Sequence, residues 1–165
     1  MSRTQPIAKT APEGLELATL AGGCFWCLEP AFAELKGVLD VECGYAGSDY
    51  ANANYEAVCT GNTGLAEVIH ILFDPQIISY ETLLQIFFVL HDPTTLNRQG
   101  NDIGTQYRSA IFTHHAAQNL TAQSMKNWVE QAIEQPVTTQ IEAFNPAQYT
   151  RAEEYHQEYF ERNPD

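Results

Sequence analysis

Apolar residues recur along this chain with two periods, and the places where the period changes mark its elements. Residues 15–20 form a short apolar run that reads as a strand. After the Gly22-Gly23 pair, residues 29–36 have helical composition, ended by Gly37. From 38 to 45 the alternation puts Leu39, Val41, Cys43 and Tyr45 on one face and Asp40 and Glu42 on the other, as in a half-buried strand. Residues 65–73 alternate more strongly: Ile69, Ile71 and Phe73 share a face with Glu67, and Asp74-Pro75 stops the run. Ser79-Tyr80-Glu81-Thr82 opens a helix whose apolar set, Tyr80, Leu83, Leu84, Phe87 and Phe88, has i, i+3, i+4 spacing, and Asp92-Pro93 closes it. A strand at 107–113 follows, then a long helix at 115–135 supported by Met125, Trp128, Val129, Ala132 and Ile133. A strand at 137–144 and a last helix at 150–162, burying Ala152, Tyr155, Tyr159 and Phe160, complete the series.

Two stretches, 46–64 and 94–105, have no period and are rich in Gly, Asn, Thr and Asp. Loops this long in a small domain are usually functional. The expected fold is an α/β (α+β) two-layer sandwich: a mixed sheet of about five strands, helices packed on it, and the two long loops converging over the active site. Residues 1–14 carry Pro6 and Pro12 and no periodicity, so a disordered N-terminal tail is expected ahead of a single catalytic domain at 15–165.

Charge and cysteine usage narrow the function classes. Twenty-one acidic against eight basic residues give a net charge of −13, which opposes nucleic acid or an anionic membrane as a partner. No segment approaches a membrane span and the N-terminus lacks an apolar signal region, so a cytoplasmic monomer is expected. Four cysteines are too few for a disulfide scaffold and fit a reducing compartment, where a Cys-x-x-Cys is catalytic or metal-binding. A zinc site would need a second pair of ligands, and neither Cys43, Cys59 nor the histidines supply one at compatible spacing. No metal and no bound cofactor are expected.

The Cys-x-x-Cys is Cys24-Phe25-Trp26-Cys27, placed where the first strand turns into the first helix. Unpaired N–H groups and the dipole of a helix's first turn favour a thiolate there, which lowers its expected pKa. Phe25 and Trp26 cannot both face the core, so at least one lines a cavity beside the sulfur. Glu67 is the acid candidate. If its apolar row buries it, desolvation keeps it protonated near neutral pH; if it lies at an open strand end, it faces solvent. By pattern alone Tyr55 and Tyr107 could fill half-buried surface, and Asp102 could cap its loop.

Ordered blocks then carry a resemblance. Gly23-Cys24-Phe25-Trp26, Gly44-Tyr45-Ala46-Gly47, Tyr55, Val58-Cys59-Thr60-Gly61, Thr63-Gly64, Ala66-Glu67-Val68 and His91-Asp92-Pro93-Thr94 resemble peptide methionine sulfoxide reductases of the A type. Arg98-Gln99-Gly100-Asn101-Asp102, Gly104-Thr105-Gln106-Tyr107-Arg108-Ser109-Ala110-Ile111 and Glu154-Tyr155-His156-Gln157 continue the match. The resemblance implies reduction of the S epimer of methionine sulfoxide, free or in proteins. It implies Cys24 as the nucleophile and Glu67 as the acid that protonates the sulfoxide oxygen. Tyr55 and Tyr107 would hold that oxygen, Phe25 and Trp26 would receive the substrate's methyl group, and Asp102 would orient polar groups. The attack would leave Cys24 as a sulfenic acid. Thioredoxin, glutaredoxin or another thiol would be the external reductant.

The chain departs from the family pattern at Leu65, where His is common, at Cys27, where Gly is common, and at Ser48. It has no cysteine after Cys59, where many relatives carry recycling cysteines. Cys43 and Cys59 are expected to be buried, and Cys27, three residues beyond Cys24, is expected to resolve the sulfenic acid. Direct reduction by an external thiol remains the other route. Two rival functions stand beside this one: a non-enzymatic module that captures methionine-containing segments, and a thioredoxin-like disulfide oxidoreductase. The latter accounts for the Cys-x-x-Cys but not for Glu67 or the 98–102 loop.

Overall fold

The structure is a computed structural model that describes residues 6, 7, 9–51 and 53–159. Its centre is a six-stranded sheet: β1 Glu16–Gly22, β2 Val38–Ala46, β3 Ala66–Phe73, β6 Ser109–Thr113, β7 Gln140–Ala143 and β8 Thr150–Arg151, in the order β7-β6-β1-β3-β2-β8. All pairs are antiparallel except β6 with β7, so the sheet is mixed as expected, with one strand more than the expected five. Helices α1 Phe25–Ala33, α3 Tyr80–Leu90 and α4 Ala116–Ile133 cover one face. Ala18, Leu20, Val41, Cys43, Tyr45, Ile69, Ile71 and Ile111 meet them in the main core. The opposite face buries Ala21, Ala46, Ala66, Val68, Ala110 and Phe112 under Phe144 and Tyr149.

Both long loops hold structure that periodicity did not reveal. The first contains the short helix α2 Tyr55–Cys59, capped by the Asn54 side chain on the Ala57 N–H at 2.8 Å. The second folds into a hairpin of β4 Arg98–Gln99 and β5 Asp102–Ile103, followed by a 3₁₀ turn, Thr105–Tyr107.

Three expectations are corrected. Leu39 does not join the apolar face of β2: the register slips between Val38 and Asp40, and Leu39 is 56 % exposed. Trp128 points outward from α4, 66 % exposed, while Met125 and Val129 make the contact with the core. The last helix does not form over 150–158; Tyr159 alone is helical among the described residues there, and residues 160–162 lie outside them. In its place stand β8 and a 3₁₀ turn, Glu154–His156, with Tyr155 exposed. Polar side chains there bond to neighbouring backbone instead of leaving it to coil. The Gln157 amide accepts from the Cys43 N–H at 2.8 Å and donates to the Cys43 and Ala152 carbonyls, extending the edge of β2. Within the expected tail, Ile7 is buried and its N–H donates to Glu42 Oε2 at 2.8 Å, and Lys9 Nζ donates to the Pro146 and Tyr149 carbonyls.

Candidate active site

Cys24 sits at the N-cap of α1 in an extended conformation, directly after β1. Gly23 makes that turn possible: its φ is +92°, and a Cβ there would lie 2.8 Å from Gln99 Cγ. Gln99 in turn donates to the Asp92 carbonyl and accepts from the Asp92 N–H at 2.9 Å, so the β4-β5 hairpin is fastened beside the cysteine turn.

Glu67 is on the helix-facing side of β3, paired with Tyr45 of β2 and 1 % exposed. Of the two environments its pattern allowed, the structure shows the buried one. Burial pushes its carboxyl up to about 8, opposed by the Phe25 N–H, which donates to Oε1 at 3.2 Å, and aided by the charge of Asp102. The thiol of Cys24 behaves differently from expectation. Burial, then the Glu67 carboxylate, push it up to about 12, and the Trp26 and Cys27 N–H groups of the helix start only partly offset this. Burial strips away the water that would solvate a thiolate, and a helix N-terminus, which supplies only a fraction of a charge, does not make up that loss beside Glu67.

Tyr107 is half-buried at the end of the 3₁₀ turn, within the fields of Glu67, Cys59, Asp102 and Cys24, and burial raises its pKa. Tyr55 opens α2, and burial, then the Cys59 thiol one turn further on the same helix, raises its pKa. Asp102 lies exposed on β5, and its charge reaches Glu67 and Tyr107. The structure divides the aromatic pair. Phe25 is fully buried against Tyr45 at 5.7 Å between ring centres, whereas Trp26 is half-buried. Cys43 is buried as expected, its thiol 4.0 Å from the Phe25 carbonyl, but Cys59 is exposed. Cys59 ends a helix of only five residues, too short to shield its last side chain. Cys27 is exposed as well.

Several residues that shape the site had no role assigned to them from the sequence. Arg108 is buried and donates to the Thr105 carbonyl at 2.9 Å, the Gly64 carbonyl at 3.0 Å and Gln140 Oε1 at 3.1 Å. It thereby clamps the turn that carries Tyr107 to the segment entering β3. Glu153, His156 and Tyr159, from the C-terminal segment, surround Trp26 and Tyr55. The Glu154-Tyr155-His156-Gln157 run was the one signal for them. Among the described residues no cluster of His, Cys, Asp and Glu could hold a metal ion, and no helix is long and apolar enough to cross a membrane.

Residues 16–165 match the family profile of peptide methionine sulfoxide reductase. Peptide methionine sulfoxide reductase MsrA of Polynucleobacter asymbioticus is 53% identical over 152 residues, covering 91% of this chain and 79% of the relative. The crystal structure of reduced Mxr1 from Saccharomyces cerevisiae superposes with a TM-score of 0.89 at 36% identity, covering 95% of this chain and 90% of that one. Mxr1 in complex with Trx2 matches with a TM-score of 0.66 at 27% identity, covering 92% and 89%.

Proposed function

The chain belongs to the peptide methionine sulfoxide reductase family, and on that premise we propose how its own residues reduce methionine sulfoxide, free or in proteins, with the S epimer as substrate. The observation that supports the reading best is the pairing of Cys24, at the start of α1, with a buried carboxyl whose pKa of about 8 keeps it protonated at neutral pH. A sulfoxide sulfur is a poor electrophile until its oxygen is protonated. Glu67 gives its proton to that oxygen while Cys24 sulfur attacks the sulfoxide sulfur, and the proton Cys24 loses replaces the one Glu67 gave up. The hydroxyl then passes to Cys24 as the bond between the two sulfurs breaks, so methionine leaves and Cys24 is a sulfenic acid. The neutral form of Glu67 also removes the charge that holds the Cys24 proton in place, so the two groups work in one protonation state. Tyr107, with Tyr55, orients the oxygen, and Asp102 adjusts the field on Glu67. Trp26 offers the apolar wall for the S-methyl group, backed by Phe25.

Cys27 resolves the sulfenic acid: its thiol displaces the hydroxyl as water and forms a disulfide with Cys24. Its exposure and its place in the first turn of the same helix support this. A thioredoxin then reduces the disulfide, as the complex of Mxr1 with Trx2 supports; glutaredoxin or another thiol could stand in its place. Such a cycle belongs in a reducing, cytoplasmic compartment, and residues 15–165 serve it as one catalytic domain in a monomer. The test is a single turnover on methionine S-sulfoxide without reductant, followed by peptide mapping. One methionine per Cys24 and a Cys24–Cys27 disulfide are expected. A Cys24–Cys59 disulfide would transfer the resolving role to the other exposed thiol. Absence of turnover even with dithiothreitol would leave only binding of methionine-containing segments.

A further inference from the structure

The ring of Trp26 is held by side chains of the C-terminal segment and of α2. Its Nε1–H donates to His156 Nδ1 at 2.9 Å, fixing it in its own plane. Tyr159 stacks on it at 3.9 Å between centres and 10° between planes, and Tyr55 lies at 6.0 Å and 26°. The hydrogen bond demands a particular form of His156. Nδ1 must be an acceptor, so the proton of the neutral ring sits on Nε2. Nε2 is buried, has no hydrogen-bond partner among the described residues, and faces Glu153 Oε1 at 4.0 Å. The Glu153 carboxylate is itself fixed: Oε1 accepts from the Tyr45 hydroxyl and Oε2 from the Tyr55 N–H, both at 2.9 Å.

We infer that Glu153 and His156 form a positioning relay for Trp26: the carboxylate selects the Nε2–H tautomer of His156, and Nδ1 thereby orients the indole that receives substrate. This rests on the reading of Trp26 as the substrate wall. Neither residue touches the reacting atoms. A carboxylate attracts the N–H edge of the imidazole, so its presence favours the tautomer that leaves Nδ1 free to accept, in the way that an outer carboxylate fixes the tautomer of a metal-bound histidine. The same carboxylate ties β2 to the first residue of α2, so the wall and Tyr55 move as one body. Rings of Phe25 at 5.2 Å, Tyr55 at 4.5 Å and Tyr155 at 4.1 Å enclose His156, and burial lowers its pKa, which keeps the ring in its neutral form.

Trp128 is exposed on α4, so Trp128→Phe leaves Trp26 as the one indole with the site unaltered. In that background ¹⁵N NMR of the otherwise native protein should show scalar coupling between Trp26 Nε1 and His156 Nδ1, and a protonated Nε2. A protonated Nδ1, or no coupling, would overturn the relay without any variant that might fail to fold. His156→Phe keeps the ring but removes the acceptor, and Glu153→Gln keeps the volume but removes the charge. In both, the indole N–H should shift toward that of an unbonded indole, and KM should rise about tenfold while the single-turnover rate at saturation changes by less than about threefold. Trp26→Phe separates the two ideas. If it raises KM while His156→Phe and Glu153→Gln move neither KM nor the indole resonance, the relay fails alone. If Trp26→Phe leaves KM unchanged, the wall reading fails, and the indole resonance in the other two variants still decides the relay.

Discussion

At the scale of single residues, the chemistry depends on one thiol and one carboxyl that each sit far from their ordinary protonation range. Cys24→Ser should abolish reduction while leaving the fold intact, because a hydroxyl at neutral pH is neither ionised nor soft enough to attack sulfur. Loss to background in a methionine-release assay, with an unchanged circular dichroism spectrum, is the expected outcome. Glu67→Gln should lower the rate by roughly 10²–10⁴, since the amide fills the same volume and can still accept from the Phe25 N–H but has no proton to give. The native enzyme should lose activity as pH rises through about 8, where Glu67 ionises, and the variant should lack that limb. The sign for stability follows from the same shift. Between the ordinary carboxyl range and about 8 the folded chain holds a proton that the unfolded chain has released, so stability falls as pH rises through this window. Thermal melts should therefore show Glu67→Gln gaining on the native protein as pH climbs. Glu67 was legible in the sequence through its place in the apolar row of β3, but the direction of the Cys24 shift was not, because it depends first on burial in the folded site and then on a charge 43 positions away in the chain.

At the scale of elements, the strands were the readable part. Their period of two is legible in β3, where Glu67, Ile69, Ile71 and Phe73 share one side, and it fails where the register slips, as at Leu39. The expected helix fails over 150–158 for a different reason. Its apolar residues have helical spacing, yet Gln157 and Glu153 find partners on β2 and α2 that a helix would forfeit. Local pattern cannot register a bond to a strand more than a hundred residues earlier. Likewise α2 is too short to show a period, and the β4-β5 hairpin pairs only two residues per strand. The turn between β1 and α1 was readable, because Gly-Gly before an apolar helix has few other uses. Gly23→Ala tests it. The added methyl forces a left-handed conformation on alanine, which costs about 1–2 kcal/mol, and it also displaces Gln99. We expect a lower denaturation midpoint, and a rate loss larger than that of Gly14→Ala, where a Cβ meets nothing and the strain is the same in kind.

At the scale of the whole molecule, Glu42 of β2 gathers the two ends of the chain. Its carboxylate, 1 % exposed, accepts from the Ile7 N–H at 2.8 Å, the Tyr149 hydroxyl at 2.7 Å and Arg151 Nε at 3.2 Å. Glu42→Ala would take the acceptor from the buried Tyr149 hydroxyl and from the part-buried Arg151 Nε, whose guanidinium keeps Glu154, and should cost roughly 1–3 kcal/mol, measured by urea unfolding. β8 adds only two residues of pairing beside this carboxylate, at Gly44 and Tyr45. Seen mechanically, the molecule is a stiff six-stranded plate with a short flap hinged at one edge, and the flap carries Glu153, His156 and Tyr159. A load applied between the termini, or a denaturant dose too mild to part β1 from β3, would peel that edge strip first and leave the plate standing. Function would then fail at a lower stress than the fold, with Cys24 and Glu67 still in register behind an opened wall.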